Sequence, residues 1–164
     1  MKASLIIIGN EILSGRTQDK NLSYLANWLN EIGIQLTEVR VIRDEEDVIV
    51  ETVNHLRKTY DYVFTTGGIG PTHDDITSES IAKAFSVDLE INQGALSILK
   101  EYYKDGELTE ARMKMTKMPV GSELIENPVS RAPGFKMDNA VSYTHLRAHE
   151  TREDRVWRGV GGKK

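Results

Sequence analysis

The sequence contains no cysteine. That excludes disulfides and thiolate metal sites and fits a reducing, cytoplasmic setting. Long apolar runs are also missing. The run near the N-terminus, Leu5 to Ile8, is far too short to span a bilayer, and no secretory cleavage region follows it, so no membrane role is expected. Aromatic residues make up only 7% of the chain. The Tyr102–Tyr103 pair has no basic surround and makes no stacking platform for nucleic acid. Positive charge is in deficit: 21 Lys and Arg stand against 25 Asp and Glu. The deficit lies in residues 1–140, with 15 basic against 22 acidic side chains, whereas residues 141–164 carry 6 against 3. An acidic body argues against nucleic-acid binding, whose affinity comes mainly from Lys and Arg on phosphates. It leaves open a small phosphorylated ligand held by backbone amides or a metal ion.

What is present is a soluble, globular composition, 39% hydrophobic and 28% charged over 164 residues, enough for one domain with a real core. The run SLIIIGN reads as a strand buried on both faces. Leu22, Leu25, Ala26, Leu29 and Ile32 recur at helical spacing, with Asn21 as the expected N-cap and Gly33 as the C′ residue. QLTEVRVI alternates as a second strand. The next segment places Ile49, Val53, Leu56 and Tyr60 on one helix face, with acids in the first turn as the helix dipole prefers. DYVFTT is a third strand, TSESIAKAF opens a helix, and VDLEIN is a short strand. QGALSILKEYYKDG and ELTEARMKMTKM follow as helices, the second stopped by Pro119. SELIENP and APGFKMD are expected as a final pair of short strands. Strand and helix alternate, which implies parallel strands joined by helical crossovers and hence an α/β layered fold.

From residue 141 the pattern breaks. Amphipathic period and acidic balance are both lost, so residues 141–164 are read as a non-native or disordered extension and the domain as residues 1–140. His145 and His149 stand at i, i+4, a metal-chelating spacing, but Glu150 follows the second histidine, so no metal site is assigned there.

The chemistry concentrates in DYVFTTGGIGPTHDDITSES, Asp61 to Ser80. In a parallel sheet, ligands bind beyond the carboxyl ends of the strands, and Thr66 sits at such an end. Gly67, Gly68 and Gly70 permit close approach of a ligand to bare backbone, and the following helix start offers amides to an anion. Neither a Rossmann fingerprint nor a Walker A loop is present, because no third glycine and no Gly-Lys-Ser/Thr follow. Asp74 and Asp75 come next, with Glu79 four residues beyond Asp75, so a helix starting here would put both on one face. Hard oxygens near a phosphate-sized hollow suit Mg²⁺, although Asp75 or Thr77 taken alone fits a helix cap. The first strand ends in Gly9, Asn10 and Glu11, and the second delivers Asp44 to the same rim. Met113, Met115 and Met118 read as helix-face or core filler.

Together GNEILSG, RDEED, TTGGIGPTHDDITSE and NPVSRAPGF resemble the N-terminal domain of the CinA (competence/damage-inducible) family. That domain is in turn similar to the MoaB/Mog-like molybdopterin-binding domains of molybdenum-cofactor biosynthesis. The resemblance covers nearly all of residues 2–139 and implies a three-layer α/β/α sandwich with a mostly parallel sheet and a pocket at its carboxyl edge. It implies a small phosphorylated ligand, ADP-ribose-like or pterin, and self-association into a homo-oligomer. For the CinA branch it implies metal-dependent pyrophosphatase activity on ADP-ribose or related dinucleotides. The positions that match the family pattern are Asn10, Glu11, Asn21, Asp44, Gly67, Gly68, Gly70, Asp74, Asp75, Glu79, Lys114, Asn127 and Gly134, and the expected ligand set is Asn10, Glu11, Asn21, Thr66, Gly67, Gly68, Gly70, Glu79, Asn127 and Gly134. The match stops near Asn139, so one edge of the domain is expected to be missing. The deamidase-like second domain of longer members has no counterpart in these residues.

Two functions follow as expectations. In the first, a hydrolase splits the pyrophosphate of ADP-ribose-like substrates. Asp75, Asp74 and Lys114 would be catalytic, and Asp44, Asp74, Asp75 and Glu11 would hold a divalent ion (Mg²⁺, Mn²⁺ or Co²⁺) that offsets phosphate charge and acidifies a water. In the second, the same pocket is a binding module that holds a molybdopterin or nucleotide without turnover, and fold alone does not separate the two.

Overall fold

The N-terminal apolar run forms β1 (Lys2–Ile8), in which every residue from Ala3 to Ile8 is buried. A strand with both faces covered must lie inside a sheet between two layers. The computed structural model, which describes residues 1–104, 108–127 and 132–143, shows those layers. After β1 the chain makes a short α1 (Asn10–Leu13) and then α2 (Asn21–Glu31), β2 (Gln35–Ile42), α3 (Glu46–Leu56) and β3 (Tyr62–Thr66). Next come α4 (Thr77–Ala84), β4 (Leu89–Ile91), α5 (Gln93–Tyr102), α6 (Glu110–Lys114) and β5 (Lys117–Pro119). The described chain closes with β6 (Glu123–Ile125), β7 (Gly134–Met137) and β8 (Ala140–Tyr143).

The main sheet runs β2-β1-β3-β8-β7-β6. Its first four strands are parallel, and β7 and β6 are antiparallel additions. This is the expected α/β/α architecture with a mostly parallel sheet. Alternation along the strands splits the core in two. Leu5, Ile7, Phe64 and Val141 pack on one face with Leu25 and Leu29 of α2. Ile6, Ile8 and Val63 pack on the other with Ile49, Val53 and Leu56 of α3 and Ile81 of α4. Each fully buried aliphatic side chain contributes about 1.5–3 kcal/mol, so the two clusters hold the strand ends in register. Among the described residues no helix is long and apolar enough to cross a membrane.

Several expectations need correction. The boundary at residue 140 falls on the first residue of β8, an interior strand whose four residues are all buried between β3 and β7. The domain therefore continues at least to Tyr143. The sequence around β8 gives little sign of this because Ser142 and Tyr143 interrupt any apolar run. His145 and His149 lie outside the described residues, as do residues 128–131 and 105–107.

The helix expected over ELTEARMKMTKM stops at Lys114. The Thr116 hydroxyl donates back to the Met113 carbonyl at 2.7 Å, and the Thr116 carbonyl accepts from the Asn92 amide at 2.8 Å. The chain is thereby turned into β5, which pairs antiparallel with β4. Asn21 does not cap α2; it is the first helical residue, and the Asp19 carboxylate accepts from the Leu22 amide at 2.8 Å. Gly33 does follow the helix with φ +77°. Tyr60 lies beyond the end of α3 rather than on its face.

Candidate functional site

The chain leaves β3 through Gly67 and Gly68, whose φ values of +92° and +69° belong to the left-handed region that glycine favours. Space imposes the same choice. A Cβ on Gly67 would drive into the Ile8 carbonyl oxygen, and one on Gly68 into the Thr77 hydroxyl. Thr77 anchors this turn from the start of α4. Its hydroxyl donates to the Gly67 carbonyl at 2.9 Å, and its amide donates to the Gly68 carbonyl at 2.9 Å. In a trans peptide the N–H points opposite to the C=O, so the amides of Gly68 and Ile69 are directed away from Thr77. Among the described residues the amides of Gly68, Ile69 and Gly70 have no hydrogen-bond acceptor. Successive outward N–H groups of this kind form an anion-binding concavity.

In front of the turn, at the carboxyl ends of the parallel strands, lies a cleft of two lobes. The first, about 610 Å³, is lined by Asn10, Glu11, Asp44, Gly68, Asp74 and Asp75, together with Ser14, Arg16, Thr72 and His73. Three of its four carboxylates, all but Glu11, are already engaged. Asp44 accepts from the Asn10 amide at 2.9 Å, which ties the end of β2 to the start of α1. Asp75 accepts from the Thr72 amide at 2.8 Å and the Thr72 hydroxyl at 2.6 Å, closing a tight loop. Neither Asp75 nor Thr77 is the helix cap the sequence suggests: α4 begins at Thr77, with Ile76 in the cap position and no side-chain cap bond. Asp74 is exposed and pairs with His73 at 3.0 Å. The second lobe, about 500 Å³, is lined by Glu11, Asn21, Thr66 and Gly67, with Arg16 and residues 17–20.

The remaining candidates lie elsewhere. Gly70, Glu79 and Lys114 surround a hollow of about 10 Å³ on the other side of the Asp75 loop. Lys114 donates to the Thr72 carbonyl at 2.8 Å, so it braces the loop that carries Asp74 and Asp75. Asn127 is buried after β6, and Gly134 opens β7 against the Ser142 carbonyl and the Tyr143 ring. Both stand at the cleft edge of the sheet, beyond β8, without lining either lobe.

A family model described as a probable molybdopterin binding domain matches residues 4–148. The chain belongs to the molybdopterin-binding domain family. Within it the chain is CinA-like. It is 42% identical over 137 residues to a CinA-like protein of Sulfurihydrogenibium, covering 82% of this chain and 34% of that one. A Thermoplasma acidophilum protein is also 42% identical, over 133 residues, covering 81% of this chain and 52% of that one. The chain spans about half the length of the curated relatives it matches, and a third of the CinA-like one. The crystal structure of the CinA protein from Thermoplasma acidophilum superposes with a TM-score of 0.81 at 37% identity, covering 87% of each chain. MoaB from Pyrococcus furiosus, at 21% identity and TM-score 0.54 over 87% of this chain and 81% of its own, shares the fold.

In this molybdopterin-binding domain the sequence located the glycine turn and the carboxylates of the first lobe, and it missed four polar lining residues of that lobe. Ser14 and Arg16 sit in the GNEILSGR segment and Thr72 and His73 in GPTHDD, so adjacency to the motifs was their available signal. The metal expectation meets a geometric limit. Among the described residues no three acidic or histidine side chains lie close enough together to hold an ion. Asp44, Asp74, Asp75 and Glu11 line one lobe but do not fit a preformed metal centre.

Proposed function

We propose that this domain binds a small phosphorylated ligand, a pterin or a nucleotide diphosphate, with a phosphate group against the amides of Gly68 and Ile69. The observation that carries the reading is the Thr77 clamp, which takes both turn carbonyls and leaves the opposing N–H groups without acceptors. Family membership supports the pterin-like class. A divalent cation enters with the ligand's phosphates, since Mg²⁺ is commonly held by one or two carboxylates plus substrate phosphate. In that role it is part of the substrate.

Hydrolysis of an ADP-ribose-like diphosphate is the second reading, favoured by the exposed His73–Asp74 pair at 3.0 Å on the wall of the first lobe. A carboxylate-oriented imidazole is a recognised general base for activating water. Isothermal titration with ADP-ribose plus Mg²⁺, Mn²⁺ or Co²⁺, followed by chromatography for AMP, tests both. Binding without AMP supports the module. AMP release that falls at least tenfold in Asp74→Asn, with binding retained, supports the hydrolase. Failure of ADP-ribose, AMP and a pterin phosphate to bind under any of these conditions removes the proposal.

A further inference from the structure

β2 (Gln35–Ile42) ends the six-stranded sheet on one side, and no strand lies beyond it among the described residues. Its backbone on that side is open. The Ile42 carbonyl accepts from the Gly9 amide at 3.1 Å, on the side of β1, and successive residues of a parallel ladder turn their N–H and C=O to alternate sides. Glu38, Arg40 and Ile42 therefore direct their backbone groups to β1, and Val39 and Val41 direct theirs outward. Thr37 is skipped altogether in the pairing with β1. Side chains leave the same row uncovered. Val39 and Val41 stand in register with Leu5 and Ile7, on the face that α2 covers, yet they are 37% and 39% exposed. An open edge with exposed valines is a template for a further strand.

The order of side chains says which strand it fits. Two copies of β2 related by a two-fold axis pair antiparallel, and each outward residue must meet an outward residue. With Val39 opposite itself, Thr37 meets Val41 and Glu38 meets Arg40 of the other copy. The Glu38–Arg40 positions are then the non-hydrogen-bonded ones, where side chains approach most closely. Within one chain these two already form an ion pair at 2.6 Å, so a second copy completes a ring of alternating charge. The neighbouring allowed registers put Glu38 opposite Glu38, or Arg40 opposite Arg40, and like charges directly opposite are destabilising. Charges and bulges usually blunt an edge. Here both signs stand in a self-complementary order, which favours one register of one partner.

We propose that this domain pairs with a second copy of itself through β2, antiparallel about Val39, so that the two sheets run on as one. The valines of the two copies cover each other on the α2 side. Glu38 and Arg40 alternate across the join on the other face, where the Tyr60 hydroxyl also reaches Glu38. Because the partner strand runs the opposite way, the two clefts open at opposite rims of the joined sheet. The pairing does not depend on what the cleft binds.

The test is sedimentation velocity of the full chain over a concentration series, with melting curves to show that each variant is folded. Wild type is expected to show a monomer–dimer equilibrium. Glu38→Arg and Arg40→Glu, each alone, put like charges opposite one another and are expected to weaken the dimer at least tenfold. An equimolar mixture of the two variants is expected to restore it, since every charge then meets its opposite across the join. Val39→Pro removes an outward N–H that β1 does not use, and is expected to abolish the dimer while the monomer stays folded. A wild type that remains monomeric at every concentration overturns the inference. So does a dimer that survives both Val39→Pro and Arg40→Glu, or a mixture with no more dimer than its components.

Discussion

At the scale of single residues, Gly68 and Thr77 share one small volume. The positive φ of Gly68 and the nearness of the Thr77 hydroxyl to its Cα act together. An alanine there costs roughly 1–2 kcal/mol from the left-handed backbone alone, before any steric displacement of Thr77. Gly68→Ala is therefore expected to lower the melting temperature by several degrees and to weaken ligand binding at least tenfold, as followed by thermal denaturation and calorimetry. A variant that melts like wild type and binds normally would show that the turn does not need this geometry. The three glycines were legible because Gly-Gly-x-Gly-Pro after an apolar run marks a turn at a strand end, and the adjacent carboxylates pointed to a ligand there. Thr77 as the clamp was not, since a threonine at a helix start reads as an ordinary cap. Its donation to the Gly67 carbonyl, 2.9 Å away across ten residues, exists only in the folded loop.

At the scale of elements, β2 is tied to the segment that follows α3 through a polar contact that the alternating pattern of β2 does not announce. The Tyr60 hydroxyl donates to Glu38 at 2.7 Å, and Arg40 donates to the other carboxylate oxygen at 2.6 Å. The Tyr60 hydrogen bond, then that of Arg40, holds the Glu38 carboxyl below its ordinary value, and the same bond to Glu38 raises the Tyr60 phenol. The signs fix the pH dependence. A lowered carboxyl gives stability that is present above its unfolded pKa and lost as pH falls through the folded one. A raised phenol gives stability that is present below its unfolded pKa and lost as pH rises through the folded one. Tyr60→Phe is thus expected to flatten the acid limb of a melting-temperature profile and to remove the phenol's part of the alkaline limb. An unchanged profile would contradict the tie. Tyr60 falls outside α3 because that helix ends at Leu56. The Asn139 amide, in the turn between β7 and β8, donates to the Arg57 and Tyr60 carbonyls at 2.9 and 3.0 Å. Local sequence carries no trace of a helix end held from 79 and 82 residues away. Elements with a clean pattern, the continuous apolar run of β1 and the periods of β2 and α2, were readable. Those fixed by distant partners, β8 and the short α6, were not.

At the scale of the molecule, two apolar layers clamp a sheet whose parallel strand ends, β1, β2 and β3, deliver Glu11, Asp44 and the glycine turn to one rim. Alternation of strand and helix along the sequence already implied that rim, because parallel strands end on the same side. The division of the rim into two lobes was not implied, since it depends on where the loop after α1 lies over the strand ends. The central claim is that phosphate settles on the amides of the Gly68–Gly70 turn. The most direct measurement is a ¹⁵N–¹H NMR titration of the full chain with Mg²⁺ and inorganic pyrophosphate. Saturable shifts are expected that are largest for the amides of Gly68, Ile69 and Gly70 and absent with Mg²⁺ alone. Shifts confined to another surface, or a turn whose amides do not respond while ligand binds, would contradict it.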